Sequence, residues 1–257
     1  IEQFLYDWAP PETAESWDNV GLLVGRPDRP VRRVLVALDV TPAVAAEAAE
    51  LGADLIVAHH PVMNVRWHEQ ELQTLREDTR LGGLLTYLVR HDLSAICMHT
   101  NLDAAEGGVN DCLAQKLGLS GTIPLNEQKI GRIGTLSCEI PLEQFLHDVV
   151  KSLGCRGLRY RSGGRTVRRV AVGGGACGEY IPQALAQGCD TFVTSDLRYN
   201  DFLDTQGLNL IDAGHFPTED VVCAEVVRRL QKAFPDIRVS KSAVHHDAVQ
   251  YYMTEGE

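Results

Sequence analysis

The chain has 257 residues and a formal net charge of −11, from 24 basic and 35 acidic side chains. With 44% apolar and 23% charged residues it is composed like an ordinary globular protein. This excludes a disordered tail, and the acidic balance argues against a general nucleic-acid binder.

Apolar runs are short, so no membrane-spanning helix is expected. Residues 1–8 hold Glu2 and Asp7 and no basic stretch, so no secretory signal is read there. Seven scattered cysteines without CxxC spacing fit free thiols in a reducing cytoplasm.

In chain order, residues 34–38 form the first predicted strand. Thr41 and Pro42 then supply an N-cap and a first-turn proline for a helix that ends at Gly52. Residues 55–58 are a buried strand that stops at His59, residues 80–91 a helix, 95–98 a strand and 109–117 a helix closed by Gly118. Residues 120–133, with Gly121, Pro124 and Gly131, read as the joint between two halves, 1–124 and 125–257. The second half alternates in the same way. Strands are predicted at 133–140, 170–172, 191–194 and 208–211, with a helix at 141–153 and a final one at 218–234. Strands alternating with helices predict an α/β fold with a mainly parallel sheet in each half.

The halves look duplicated. Residues 31–60 align without a gap on 167–196, at an offset of 136, with nine of thirty positions identical. The identities include Val31-Arg32-Arg33-Val34 against Val167-Arg168-Arg169-Val170, Gly52 against Gly188 and Asp54 against Asp190. In this alignment His59 and His60 meet Ser195 and Asp196, so one copy holds imidazoles where the other holds a hydroxyl and a carboxylate.

Open α/β sheets bind ligands beyond the carboxyl ends of their strands. Three such ends carry histidine: His59-His60-Pro61, then His99-Thr100-Asn101-Leu102-Asp103, then Asp212-Ala213-Gly214-His215-Phe216-Pro217-Thr218-Glu219. Four of the nine histidines lie in these junctions. In an extended backbone His59 and His60 point to opposite sides. They would then address two different ions, or one would be a ligand and the other its support. His215 and Glu219, spaced i, i+4, face one side of a helical first turn. Three imidazoles, an Asp and a Glu suit Zn²⁺, Mn²⁺ or Fe²⁺ rather than Ca²⁺, and spread over two ions they leave room for water.

His68, His91 and His147 read as solvated, and the His245-His246 pair falls in a polar C-terminal segment and is set aside. The glycine-rich stretch 173–178 reads as a phosphate cradle or as a close backbone approach, with Cys177 as a small packing residue.

These motifs, with Trp17-Asp18-Asn19-Val20-Gly21-Leu22 near the start, resemble the Nif-three-like family, whose members are also named GTP cyclohydrolase 1 type 2 homologues. The resemblance spans nearly the whole chain. It implies two interlinked α/β halves in the short form, without the inserted middle domain. It also implies a dinuclear site of two divalent cations held by His59, His60, Asp103, His215 and Glu219, and a ring-shaped homohexamer. One departure is Asn64, where the family often has Phe.

The activity expected from this site is metal-dependent hydrolysis of a nucleotide or another heterocyclic small molecule. Glu219 would bridge the ions or orient water, and His99 would support Asp103 or shuttle a proton. Metal carriage, or a regulatory role with structural ions, are the alternatives.

Overall fold

A computed structural model describes residues 1–63 and 74–252. Asn64 and His68 lie outside the described residues. The chain divides into two units: residues 1–108 with 222–245, and residues 109–221 with 246–257.

The first unit opens with α1 (Glu2–Trp8) and β1 (Gly21–Val24). It continues through β2 (Arg33–Ala37), α2 (Pro42–Glu50), β3 (Leu55–Ala58), α3 (Arg80–Arg90), β4 (Ser94–Cys97) and α4 (Thr100–Ala104). The second unit holds α5 (Val109–Lys116), β5 (Ser120–Pro124), β6 (Arg132–Ile140), α6 (Leu142–Leu153), β7 (Arg159–Arg161) and β8 (Val167–Val172). It goes on with α7 (Ile181–Ala186), β9 (Thr191–Thr194), α8 (Tyr199–Asp204), β10 (Asn209–Asp212) and α9 (His215–Glu219). The chain then returns to the first unit with α10 (Val221–Ala233) and β11 (Arg238–Lys241).

The expected division at 124/125 therefore differs from this one at both ends. Residues 120–124 are not a free joint, because they pair with β6 in the second sheet. Residues 238–241 belong to the first unit, because they pair in parallel with β2. The single helix predicted at 218–234 is two helices, α9 and α10.

The first sheet has the order β1-β4-β3-β2-β11. Its pairs are parallel except β1 with β4. The second has the order β5-β6-β8-β9-β10-β7, a parallel core of β8, β9 and β10 flanked by antiparallel strands. This is the expected α/β class, with more of the pairing parallel than antiparallel.

The apolar runs explain the strands. In the second unit Val170, Val172, Val193 and Ile211 pack in one buried cluster, while Ala171, Phe192 and Leu210 pack in another. Alternate residues thus serve opposite faces, as the strand period requires. In the first unit Leu35, Ala37, Ile56, Ala58, Ala95 and Cys97 share one cluster with Leu84 and Leu88 of α3. Among the described residues no helix is long and apolar enough to cross a membrane.

The duplication has a physical signature. In the first unit Asp54 Oδ2 accepts the backbone N–H groups of Arg32 and Arg33 at 2.8 and 3.0 Å. In the second, Asp190 Oδ2 accepts those of Arg168 and Arg169 at 2.9 and 2.7 Å. The glycine before each turn, Gly52 or Gly188, has φ of +62° or +70°. After it, Ala53 N–H donates to Ala48 O at 2.8 Å and Cys189 N–H to Ala184 O at 3.0 Å. Each carboxylate thereby fixes the start of one strand against the start of its neighbour.

A charge-assisted bond to a backbone N–H contributes about 1.5–3 kcal/mol. Replacing Asp190 by Ala is therefore expected to cost about 2–4 kcal/mol, and Asp190→Asn, which keeps one carbonyl acceptor, less. Urea unfolding of the two variants checks this. A loss below about 0.5 kcal/mol for Asp190→Ala would refute the clamp.

Candidate metal centre

In the first unit the polar residues gather at one edge of the sheet. β2, β3, β4 and β11 run parallel, so their C-terminal ends share that edge, and antiparallel β1 begins there. His59 and His60 follow β3, His99 follows β4, Asp39 follows β2, His245 follows β11 and Asp18 precedes β1.

The adjacent histidines do not diverge as an extended backbone would make them. β3 stops at Ala58, and the N–H groups of His59 and His60 both donate to Leu38 O, at 3.1 and 2.9 Å. That turn brings their ring centroids to 5.0 Å. The His99 ring lies 5.2 Å from His59 and 5.6 Å from His60. One nitrogen from each of the three rings lies within 4.8 Å of the others. His99 thus stands as a third imidazole of one cluster.

Each ring is held from behind. His59 Nδ1 lies 2.8 Å from Met98 O, His60 Nδ1 2.7 Å from Asp39 Oδ1 and His99 Nδ1 2.9 Å from Asp18 Oδ1. A carbonyl or a carboxylate can only accept, so each Nδ1 carries the hydrogen and donates it. In the neutral tautomer this leaves the lone pair on Nε2.

Asp18 has a fully buried side chain. Burial pushes its carboxyl up, but the bonds from His99 and Thr100 outweigh that and hold it down at about 2. Burial likewise raises Asp39, and bonds from His245 and His60 hold it well below the usual carboxylate range. Asp103, on the first turns of α4, is buried, and its Oδ1 is 3.8 Å from His59 Nε2.

In the second unit His215 and Glu219 are the first and last residues of α9, one turn apart. His215 Nδ1 lies 2.6 Å from Asp196 Oδ2, and its Nε2 lies 2.9 Å from Glu219 Oε2. Burial would lower the imidazolium, but these two carboxylates push His215 up to about 10. The bond from His215 in turn lowers Asp196, which has φ of +53°.

The glycine-rich stretch is a close backbone approach. Gly175 has φ of +67°, and a Cβ built on it would lie 2.1 Å from Glu219 Oε1. Its N–H donates to Thr218 Oγ1 at 3.1 Å, and Gly174 N–H donates to Asn110 Oδ1 at 2.9 Å. Cys177 is buried and its thiol donates to Gly174 O at 3.2 Å, which suits the packing role expected of it.

Within the first unit, then, His59, His60, His99 and Asp103 come together, and within the second His215 and Glu219 do. His91 stacks on Tyr87 at 3.9 Å, and His147 and His246 are exposed. His245 is another matter: its Nε2 lies 2.9 Å from Asp39 Oδ2. Asp39, which also follows a strand, and Asp18, within Trp17–Leu22, carry no imidazole and so give no strand-end histidine signal.

A family model described as Duf34/NIF3 (NGG1p interacting factor 3) matches residues 1–248. A Clostridium perfringens protein named GTP cyclohydrolase 1 type 2 homolog is 32% identical over 241 residues, covering 90% of each chain. A Streptomyces coelicolor protein of the same name is 35% identical over 224 residues, covering 82% of this chain and 77% of that one. Among solved structures, a Bacillus cereus protein related to NIF3 superposes with a TM-score of 0.88 at 26% identity, covering 97% of both chains. A Staphylococcus aureus hypothetical protein gives 0.88 at 30% identity, covering 98% of this chain and 97% of that one. With the match running from the first residue to beyond the last strand, the chain belongs to the Duf34/NIF3 family.

Proposed function

We propose that this protein binds two divalent cations and uses them to hydrolyse a nucleotide or another heterocyclic small molecule. The observation that carries the reading is the common state of four imidazoles. His59, His60, His99 and His215 each have Nδ1 tied to a backbone carbonyl or a carboxylate. Metal-binding histidines are oriented in this way, with the other nitrogen offered to the ion. Purely structural histidines would not call for three separate carboxylates behind them, one with its side chain fully buried.

The donor set fits Zn²⁺, Mn²⁺ or Fe²⁺, for which nitrogen and carboxylate oxygen are suitable partners. His59, His60, Asp103, His215 and Glu219 would hold the pair. The cations, when bound, acidify water and polarise the bond under attack.

The residues have separate tasks. Asp39, Asp18 and Asp196 aim the rings. Glu219, buried beneath Gly175, aligns a carboxylate for ion or water. His99, backed by Asp18, would take or return a proton at Nε2. Assembly as a homohexamer, as the resemblance implies, is part of the same proposal.

Protein purified without chelators is expected to carry up to two equivalents of Zn, Mn or Fe by elemental analysis, and His60→Ala and His215→Ala less. Glu219→Gln should remove turnover in a screen of nucleotides and cyclic amides on metal-restored protein. Undiminished turnover in that variant would sink the hydrolytic part. Full retention of metal by both histidine variants would sink the site.

Gly175→Ala is a sharper test, because it adds one methyl in the space of Glu219 Oε1. It is expected to lower metal content and activity together, at a stability cost of about 1–3 kcal/mol for the positive φ. Unchanged metal content in the folded variant would show that the position of Glu219 does not matter.

A further inference from the structure

We propose that Asp39 and His245 are a positioning pair for His60, so that the C-terminal residues 242–245 tune metal binding without touching the ion. This rests on the metal reading above. β3, β2 and β11 are neighbours and run parallel, with Lys241 in register with Val36. Their three C-terminal ends therefore lie side by side, and each delivers one member of a continuous row. His60 Nδ1 lies 2.7 Å from Asp39 Oδ1, and His245 Nε2 lies 2.9 Å from Asp39 Oδ2 and 3.2 Å from the Asp39 amide N. In one tautomer His245 donates to the carboxylate, and in the other it accepts the Asp39 N–H. Both hold Asp39 in place. In the donating tautomer the carboxylate is gripped at both oxygens and cannot rotate, so the plane of the His60 ring and the direction of its Nε2 lone pair are set from behind.

Anchoring the chain end does not account for His245. Ser242 N–H donates to Val36 O at 2.8 Å. Glu47 accepts from Ser242 Oγ and, at 2.8 Å, from Ala243 N–H. Ser242 Oγ also accepts the N–H of His245 at 3.2 Å. The segment is thus pinned before His245 makes its side-chain contact, and that pinned turn delivers the imidazole to Asp39 with only 8% of its side chain exposed. The second copy of the repeat supports a role tied to the ligand. The residue 136 positions after Asp39 is Gly175, which has no carboxylate, and there the carboxylate behind His215 comes from Asp196, the counterpart of His60.

The test uses the full chain loaded with cobalt(II), read by its visible absorption and by release to a competing chelator. His245→Ala and Asp39→Asn are expected to shift the cobalt bands and to weaken retention about 10-fold or more. His245→Gln, which can still donate to Asp39, should restore most of both. Spectra and retention within about twofold of wild type in His245→Ala would overturn the proposal. So would a loss of melting temperature with an unshifted spectrum, since a merely structural contact would give that. If His245→Ala does not fold, the isosteric Asp39→Asn variant decides on the same two readouts. Wild-type protein that binds no cobalt would instead overturn the metal reading itself, so the two failures are told apart.

Discussion

Parallel pairing of β2, β3, β4 and β11 is the constraint on which the first unit depends. Parallel strands must end at the same edge, and that edge is where backbone groups run out of ladder partners. The polar side chains collect there for that reason. Antiparallel β1 adds its beginning to the same edge and so brings Asp18 beside His99. Five strands thus contribute Asp18, His99, His59 with His60, Asp39 and His245, in the spatial order of the sheet. The chain order of these residues is quite different, which is why no local motif contains them all.

The two copies of the repeat show which parts of the unit are scaffold and which are site. The carboxylate clamps at Asp54 and Asp190, the positive-φ glycines and the buried strands are the same in both. The strand ends are not. Where the first copy has Asp39 behind His60, the second has Gly175, whose missing side chain leaves room for Glu219. Where the first has His60, the second has Asp196, which supports an imidazole instead of supplying one. The same backbone therefore presents a nitrogen-rich set in one unit and a carboxylate-rich set in the other.

Much of this was legible in the sequence. The strands at 55–58 and 191–194 match to the residue, because short runs such as Leu55-Ile56-Val57-Ala58 leave no other reading. Histidine at strand ends pointed to His59, His60, His99 and His215. What escaped had no periodic signal. β5, β7 and β11 are short, largely exposed edge strands, visible only through the neighbours they pair with. The convergence of His59 and His60 came from both amides reaching back to one carbonyl, Leu38 O, and alternation along a strand gives no warning of that. His245 looked like part of a polar tail because its partner, Asp39, lies 206 positions away.

The cost of these arrangements argues for their use. An ionised carboxylate buried in a protein is stabilising only if its hydrogen bonds offset the loss of water, and apolar replacements often do as well or better. Asp18 sits with no exposed side-chain surface and is held ionised by His99 and Thr100. Asp39 is held so by two imidazoles. Neither closes a strand start as Asp54 and Asp190 do: Asp39 gives its oxygens to His60 and His245, and Asp18, which also accepts Thr100 N–H at the start of α4 and Asn19 N–H, turns Oδ1 to the back of the His99 ring. The bonds to the rings of His60 and His99 close no part of the sheet ladder. What they do add is direction: the ring cannot swivel, and its outward nitrogen points one way. Direction has value only where something approaches that nitrogen.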